Sequence, residues 1–118
     1  LCYYERGEVY CDMGQYEKAE EDYTACIALN ESHLSAFIKR SECHYHLKNY
    51  EDAIADVNRS IELDDNDHRS YYLRGLLYLE GFYDLKSAIK DLTKSIEICS
   101  TPLANKAREK AIRMLIDE

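Results

Sequence analysis

Cys43, His44 and His46 are the densest group of metal-ligating side chains in this 118-residue chain. A zinc site needs further Cys or His ligands at matching spacing, and no second pair lies nearby in sequence, so no metal is expected. The acidic turn Asp64-Asp65-Asn66-Asp67 offers oxygens to calcium but lacks the Gly and the distant Glu of a calcium loop. Asp67 fits a helix N-cap instead. No phosphate-cradling Gly loop, Gly-x-Ser-x-Gly elbow or other catalytic pattern is present, so neither an enzyme nor a cofactor is expected.

The five cysteines (Cys2, Cys11, Cys26, Cys43, Cys99) are odd in number and contain no Cys-x-x-Cys pair. Three of them fall where a small apolar residue would serve, which points to free thiols in a reducing compartment. Of two glycosylation sequons, Asn30-Glu31-Ser32 and Asn58-Arg59-Ser60, the second lies mid-helix with Ser60 on a packed face. Both observations predict a cytoplasmic protein.

The elements that position these groups follow from composition and period. Apolar residues make up 46% of the chain, enough for one core, while one Pro and four Gly leave little room for a many-stranded sheet. No apolar run approaches the roughly 18 residues that span a bilayer, so no membrane insertion is expected. Leu1-Cys2-Tyr3-Tyr4-Glu5 lacks the layout of a signal peptide. The chain begins without Met and is expected to be a piece of something longer.

Gly14-Gln15-Tyr16-Glu17-Lys18-Ala19 aligns with Lys48-Asn49-Tyr50-Glu51-Asp52-Ala53 at a separation of 34 residues. The match continues through Tyr23 on Val57, Cys26 on Ser60, Ile27 on Ile61 and Leu29 on Leu63. A third copy follows 35 residues on, with Ala88, Leu92, Ser95, Ile96 and Ile98. Upstream, Gly7, Ser41 and Gly75 are spaced by 34 and 34, each followed three residues later by Tyr10, His44 or Tyr78. The one-residue excess must fall between the two halves, around Gly81-Phe82-Tyr83-Asp84, where a slightly longer turn is expected. Within each half, packed positions recur at intervals of three and four, which stacks them on one helix face. Neither helix buries that face alone, so pairs must stack on pairs. Gly7, Ser41 and Gly75 would mark the close approach of paired helices.

These in-phase positions resemble the tetratricopeptide repeat family: Tyr3, Gly7, Tyr10, Ala19, Tyr23 and Cys26 in the first copy; Phe37, Ser41, His44, Ala53, Val57 and Ser60 in the second; Tyr71, Gly75, Tyr78, Ala88, Leu92 and Ser95 in the third. Ile61-Glu62-Leu63-Asp64-Asp65-Asn66 resembles the family's end-of-repeat turn with Asp65 in place of Pro. The resemblance implies an all-α, right-handed α-solenoid of antiparallel helix pairs, with about seven helices. It divides the chain into residues 1–34 (helices about 1–13 and 16–29), 35–68 (about 34–47 and 50–63) and 69–101 (about 68–80 and 84–98). Residues 102–118 would form a closing helix with Ala104, Ala107, Ala111 and Leu115 on one stripe.

The same resemblance implies a concave groove lined by Tyr4, Glu5, Glu8, Ile38, Lys39, Glu42, Tyr45, Arg69, Tyr72, Leu73 and Leu76, gripping a peptide or partner domain without chemical turnover. One subtype holds chaperone C-terminal carboxylates in a clamp of Lys, Arg and Asn. Here Tyr4, Glu8, Lys39 and Leu73 replace clamp residues and only Arg69 suits, so chaperone tails are expected to be disfavoured. Residues 1–68 carry 16 Asp/Glu against 6 Lys/Arg, net −10, and residues 69–118 carry 7 against 9, net +2. Such a field would steer a basic segment toward the first two repeats, although Glu17, Glu20, Glu21 and Asp22 also read as a solvated face; with the tyrosine-lined groove, the expected partner is a basic or apolar peptide. The acidic balance argues against nucleic acid, and the Lys86, Lys90, Lys94 stripe is too small to reverse it. The expected function is a protein-binding scaffold within a larger adaptor or co-chaperone-like protein. Self-association into homo-oligomers, or an accessory role beside a catalytic domain outside this segment, are the alternatives.

Overall fold

The computed structural model describes residues 2–117; Leu1 and Glu118, the outer ends of the first and last expected segments, lie outside the described residues. The helices are α1 (Tyr3–Asp12), α2 (Tyr16–Leu29), α3 (Leu34–His46), α4 (Tyr50–Leu63), α5 (His68–Leu76), α6 (Leu85–Ile98) and α7 (Pro102–Asp117). A π-helical stretch, Leu77–Gly81, extends α5. Consecutive helices pack as pairs, the pairs stack, and α7 lies against α6, giving an elongated body of 46 × 26 × 23 Å. No helix among the described residues is long and apolar enough to cross a membrane.

The core is divided by the stacking. Between the first and second pairs lie Ala19, Tyr23 and Cys43, edged by Tyr4, Tyr10, Cys11 and Tyr16. Between the second and third lie Ile38, Ala53, Val57, Leu73 and Leu77. Leu79, Leu85 and Ala88 meet Ala111 of α7, with Met114 and Leu115 packed alongside. Each cluster joins only neighbours, as a solenoid requires.

Small residues set the spacing within each pair. A Cβ at Gly7 would lie 2.8 Å from the Tyr23 ring, and one at Gly75 would lie 2.7 Å from Leu92 Cγ. Ser41, fully buried at the corresponding place, donates its hydroxyl to the Ala53 carbonyl at 2.7 Å. The turns also repeat. Gly14, Lys48 and Tyr83 all take positive φ, at 75°, 64° and 53°. Gln15 N–H reaches the Tyr10 carbonyl and Asn49 N–H reaches that of His44, both at 2.8 Å; Asp84 N–H reaches Tyr78 across one residue more, at 2.9 Å. The excess residue of the third copy is taken up partly inside the helix, where Phe82 N–H bonds the Leu77 carbonyl. Widening a helical turn keeps both flanking faces in register, which a longer exposed loop would not do.

Charge supplies a second layer of repetition. Arg6 grips Asp22, Arg40 grips Asp56 and Arg74 grips Asp91, each through two nitrogens at 2.7–3.0 Å. Asp22 is only 4% exposed, so it does not belong to a solvated face. The planar guanidinium matches a carboxylate in this bidentate manner, and the carboxylates in turn raise the pKa of all three arginines.

Candidate functional site

Helix phase brings α3, α5 and the start of α7 around one recess of about 410 Å³. Each helix repeats its direction-setting residues every three to four positions, so Glu42, Tyr45 and His46 of α3 face Arg69, Tyr72, Leu73 and Leu76 of α5. His68, Thr101 and Leu103 complete the wall. Thr101 also starts α7, accepting the Ala104 N–H at 3.2 Å, and Asp67 starts α5, accepting the Arg69 N–H at 3.0 Å. These caps fix where the two helices enter the recess.

Six residues named from the sequence line this recess together: Glu42, Tyr45, Arg69, Tyr72, Leu73 and Leu76. Leu73 forms its floor and is 4% exposed. Ile38 is 1% exposed and belongs to the core between the second and third pairs, so it offers no surface to a ligand. Tyr4 lies toward the other end of the stack, against the Tyr23 ring at 5.7 Å and stacked on His33 at 5.2 Å. Glu5 is exposed and Glu8 half-buried on α1, and neither lines the recess. Lys39 is half-buried one turn before Cys43 and approaches Glu42 at 3.9 Å. Sequence reasoning missed His46, His68, Thr101 and Leu103. His46 and His68 stand at the end of α3 and the start of α5, off the repeat positions, and Thr101 and Leu103 enter the wall only through the docking of α7, which is a tertiary property.

The recess combines apolar rings with mixed charge. Tyr45 donates its hydroxyl to Glu80, and burial together with that carboxylate pushes its pKa up. Tyr72 is pushed up by burial, then by Glu80 and Glu42. Arg69 holds Asp67 through two nitrogens, at 2.7 and 3.1 Å, while 44% of its own side chain stays exposed. Its hydrogen bonds lower the Asp67 pKa, a change that burial opposes. Cys43 and His44, adjacent in sequence, point apart: the Cys43 sulfur meets Cys11 at 3.5 Å and His44 Nε2 lies 3.6 Å from Asp56.

This architecture has close counterparts. The first tetratricopeptide domain of Spaghetti (RPAP3), bound to HSP90 peptide SRMEEVD, superposes with a TM-score of 0.91 at 23% identity, covering 97% of this chain and 90% of that one. The second such domain of human RPAP3, in complex with HSP70 peptide SGPTIEEVD, superposes with a TM-score of 0.85 at 23% identity, covering 93% and 92%. These structures correct the expectation that acidic chaperone tails are disfavoured and that partners are basic or apolar. That expectation compared single positions with one ligand set. In the folded chain Arg69, His46 and His68 line one recess together, and Glu42 has Lys39 at 3.9 Å on the same helix.

Among curated proteins, the SGT1 homolog of Oryza sativa subsp. japonica is 34% identical over 77 residues, 64% of this chain. The matched segment spans about a fifth of that relative, 21% of its length. Family models for the tetratricopeptide repeat match residues 1–33 and 34–67, together more than half the sequence. With the repeated small residues, the paired helices and the stacked core all in phase with those matches, the chain belongs to the tetratricopeptide repeat family.

Proposed function

We propose that this chain is a non-catalytic scaffold that holds a partner peptide in the recess between α3, α5 and α7, as one segment of a larger, intracellular adaptor or co-chaperone-like protein. The division into three repeats and a closing helix belongs to the same reading. The observation that carries it is the recess itself: Tyr45, Tyr72, Leu76 and Leu103 form apolar walls beside the half-exposed Arg69 guanidinium. Stiff aromatic walls bury area at small entropic cost, and a guanidinium fits a terminal carboxylate. A short acidic peptide ending in Glu-Glu-Val-Asp, as bound by the solved domains of the same fold, supplies both groups.

Fluorescence anisotropy with labelled SRMEEVD tests this. Binding in the micromolar range, about 8 kcal/mol, is expected. Tyr72→Ala and Arg69→Ala should each weaken it about tenfold, since truncating an anchor typically costs 1 kcal/mol or more. An unbound peptide, or undiminished affinity in both variants, would overturn the proposal.

A further inference from the structure

Cys11 lies on α1 and Cys43 on α3, 32 residues apart, yet their sulfurs approach to 3.5 Å across the boundary between two repeats. The Tyr23 hydroxyl stands 3.7 Å from the Cys11 sulfur, and Ala19, Tyr4, Tyr10 and Tyr16 share the cluster. Cys43 is fully buried; Cys11 is half-buried at the edge of the cluster. We infer that Cys11 and Cys43 are a peroxide-responsive thiol pair whose oxidation closes a disulfide between the first and second repeats.

The geometry needs little adjustment. A disulfide holds its sulfurs about 2.05 Å apart, so each must move by roughly 0.7 Å. The roles of the two thiols are unequal. Hydrogen bonding from Cys43 lowers the Cys11 thiol to about 7, with the Tyr23 hydroxyl helping and burial opposing. The same bond, then burial, pushes Cys43 up. Cys11, the less buried of the two, is therefore the thiol that reacts first, and it does so as its thiolate.

The sequence of bonds follows. Cys11 thiolate attacks one oxygen of hydrogen peroxide, the O–O bond breaks, and hydroxide leaves and takes a proton to become water. Cys11 is now a sulfenic acid and its negative charge is gone, which removes the repulsion that held the Cys43 proton in place. Cys43 loses that proton and attacks the Cys11 sulfur, the S–O bond breaks, and a second water leaves. Two thiols are oxidised by two electrons and one peroxide is reduced to two waters. Cys2 and Cys99 are exposed, and Cys26 is buried with its pKa raised mainly by that burial, so all three serve as internal references.

The test treats the 118-residue chain with one equivalent of hydrogen peroxide at neutral pH. A non-reducing digest should contain one peptide linking Cys11 to Cys43 within a monomer, and titratable thiols should fall from five by two. Closing this loop should raise the melting midpoint by roughly 10 °C, reversibly with dithiothreitol. Cys11→Ser, at the half-exposed position, should abolish both the link and the shift. Cys43→Ala should leave a Cys11 sulfenic acid that dimedone captures, formed more slowly because the hydrogen bond that favours the Cys11 thiolate is gone. The inference is overturned if Cys11 and Cys43 stay reduced while Cys2 or Cys99 react, or if links form only between chains. It also fails if Cys11→Ser still shows the thermal shift; that variant carries the test should Cys43→Ala unfold.

Discussion

The first and third repeats use the same positions with different fillers. Gly7 faces the ring edge of Tyr23, a planar group in a cluster bordered by half-buried tyrosines, whereas Gly75 faces the branched stem of Leu92 with the Ala88 carbonyl oxygen 3.3 Å from where a Cβ would sit. Among the described residues the Arg6 side chain hydrogen-bonds Asp22 alone, and 49% of it is exposed. Arg74, 24% exposed, holds Asp91 and also donates to Asn58 of the preceding repeat at 3.0 Å. Arg40 does likewise with Thr24 at 3.2 Å. The first unit is thus paired within itself, and each later unit is also fastened to the one before it. Stability in such a stack should rise inward from α1, because interface contributions accumulate there.

That gradient can be broken most severely at the glycines. Gly75→Leu should lower unfolding free energy by about 3 kcal/mol, since neither the Leu92 stem nor a backbone carbonyl can yield cheaply. Gly7→Leu should cost less because the three atoms nearest a Cβ there all belong to the outer edge of the Tyr23 side chain, with no backbone carbonyl among them. Chemical denaturation of both variants measures the difference, and equal losses would remove the distinction between the repeats.

The arginines sharpen the same contrast at a smaller scale. Arg74→Leu leaves Asp91, 4% exposed, without its charge partner and should cost about 2 kcal/mol. Arg6→Leu should cost less, because the Arg6 side chain is 49% exposed and water shares in solvating its guanidinium, which weakens what it gives to the buried Asp22. A double comparison of melting curves would refute the gradient if Arg6→Leu proved the more harmful change.

The smallest effect concerns the boundary between the second and third repeats. Asp67 caps α5 and its pKa is lowered, first by the side-chain hydrogen bond from Arg69. A carboxyl whose folded pKa lies below its unfolded one stabilises the fold above the unfolded value. That contribution is lost as pH falls through the folded value. Asp67→Ala should therefore cost about 1 kcal/mol at neutral pH, and the gap from the parent should vanish in strong acid. A pH-independent gap would mean that the side chain acts through packing rather than charge.

Much of the framework was legible because identical neighbours recur. Gly7, Ser41 and Gly75 are readable as close-approach sites from spacing alone, since only small residues survive there in phase. Arg6, Arg40 and Arg74 recur at the same spacing, yet charged residues on a helix ordinarily face water, and nothing local says that Asp22, Asp56 and Asp91 are covered. Ile38 was misplaced on the groove because neighbouring positions on α3 differ by only 100° of helical turn. Small changes of phase there decide between core and surface. Leu103 is not legible because its place depends on how α7 docks, and His68 because it stands at the helix start, off the repeat positions.

The sequence by itself determined the repeated helix pair and the places where pairs touch. Periodic burial is a local property that every copy restates. Only the tertiary structure decided which carboxylates are neutralised, which tyrosines stay open around the recess and which two sulfurs meet. Cys11 and Cys43 are 32 residues apart in a chain that repeats every 34. They hold no equivalent position, and only the stacking of α1 against α3 brings them within reach.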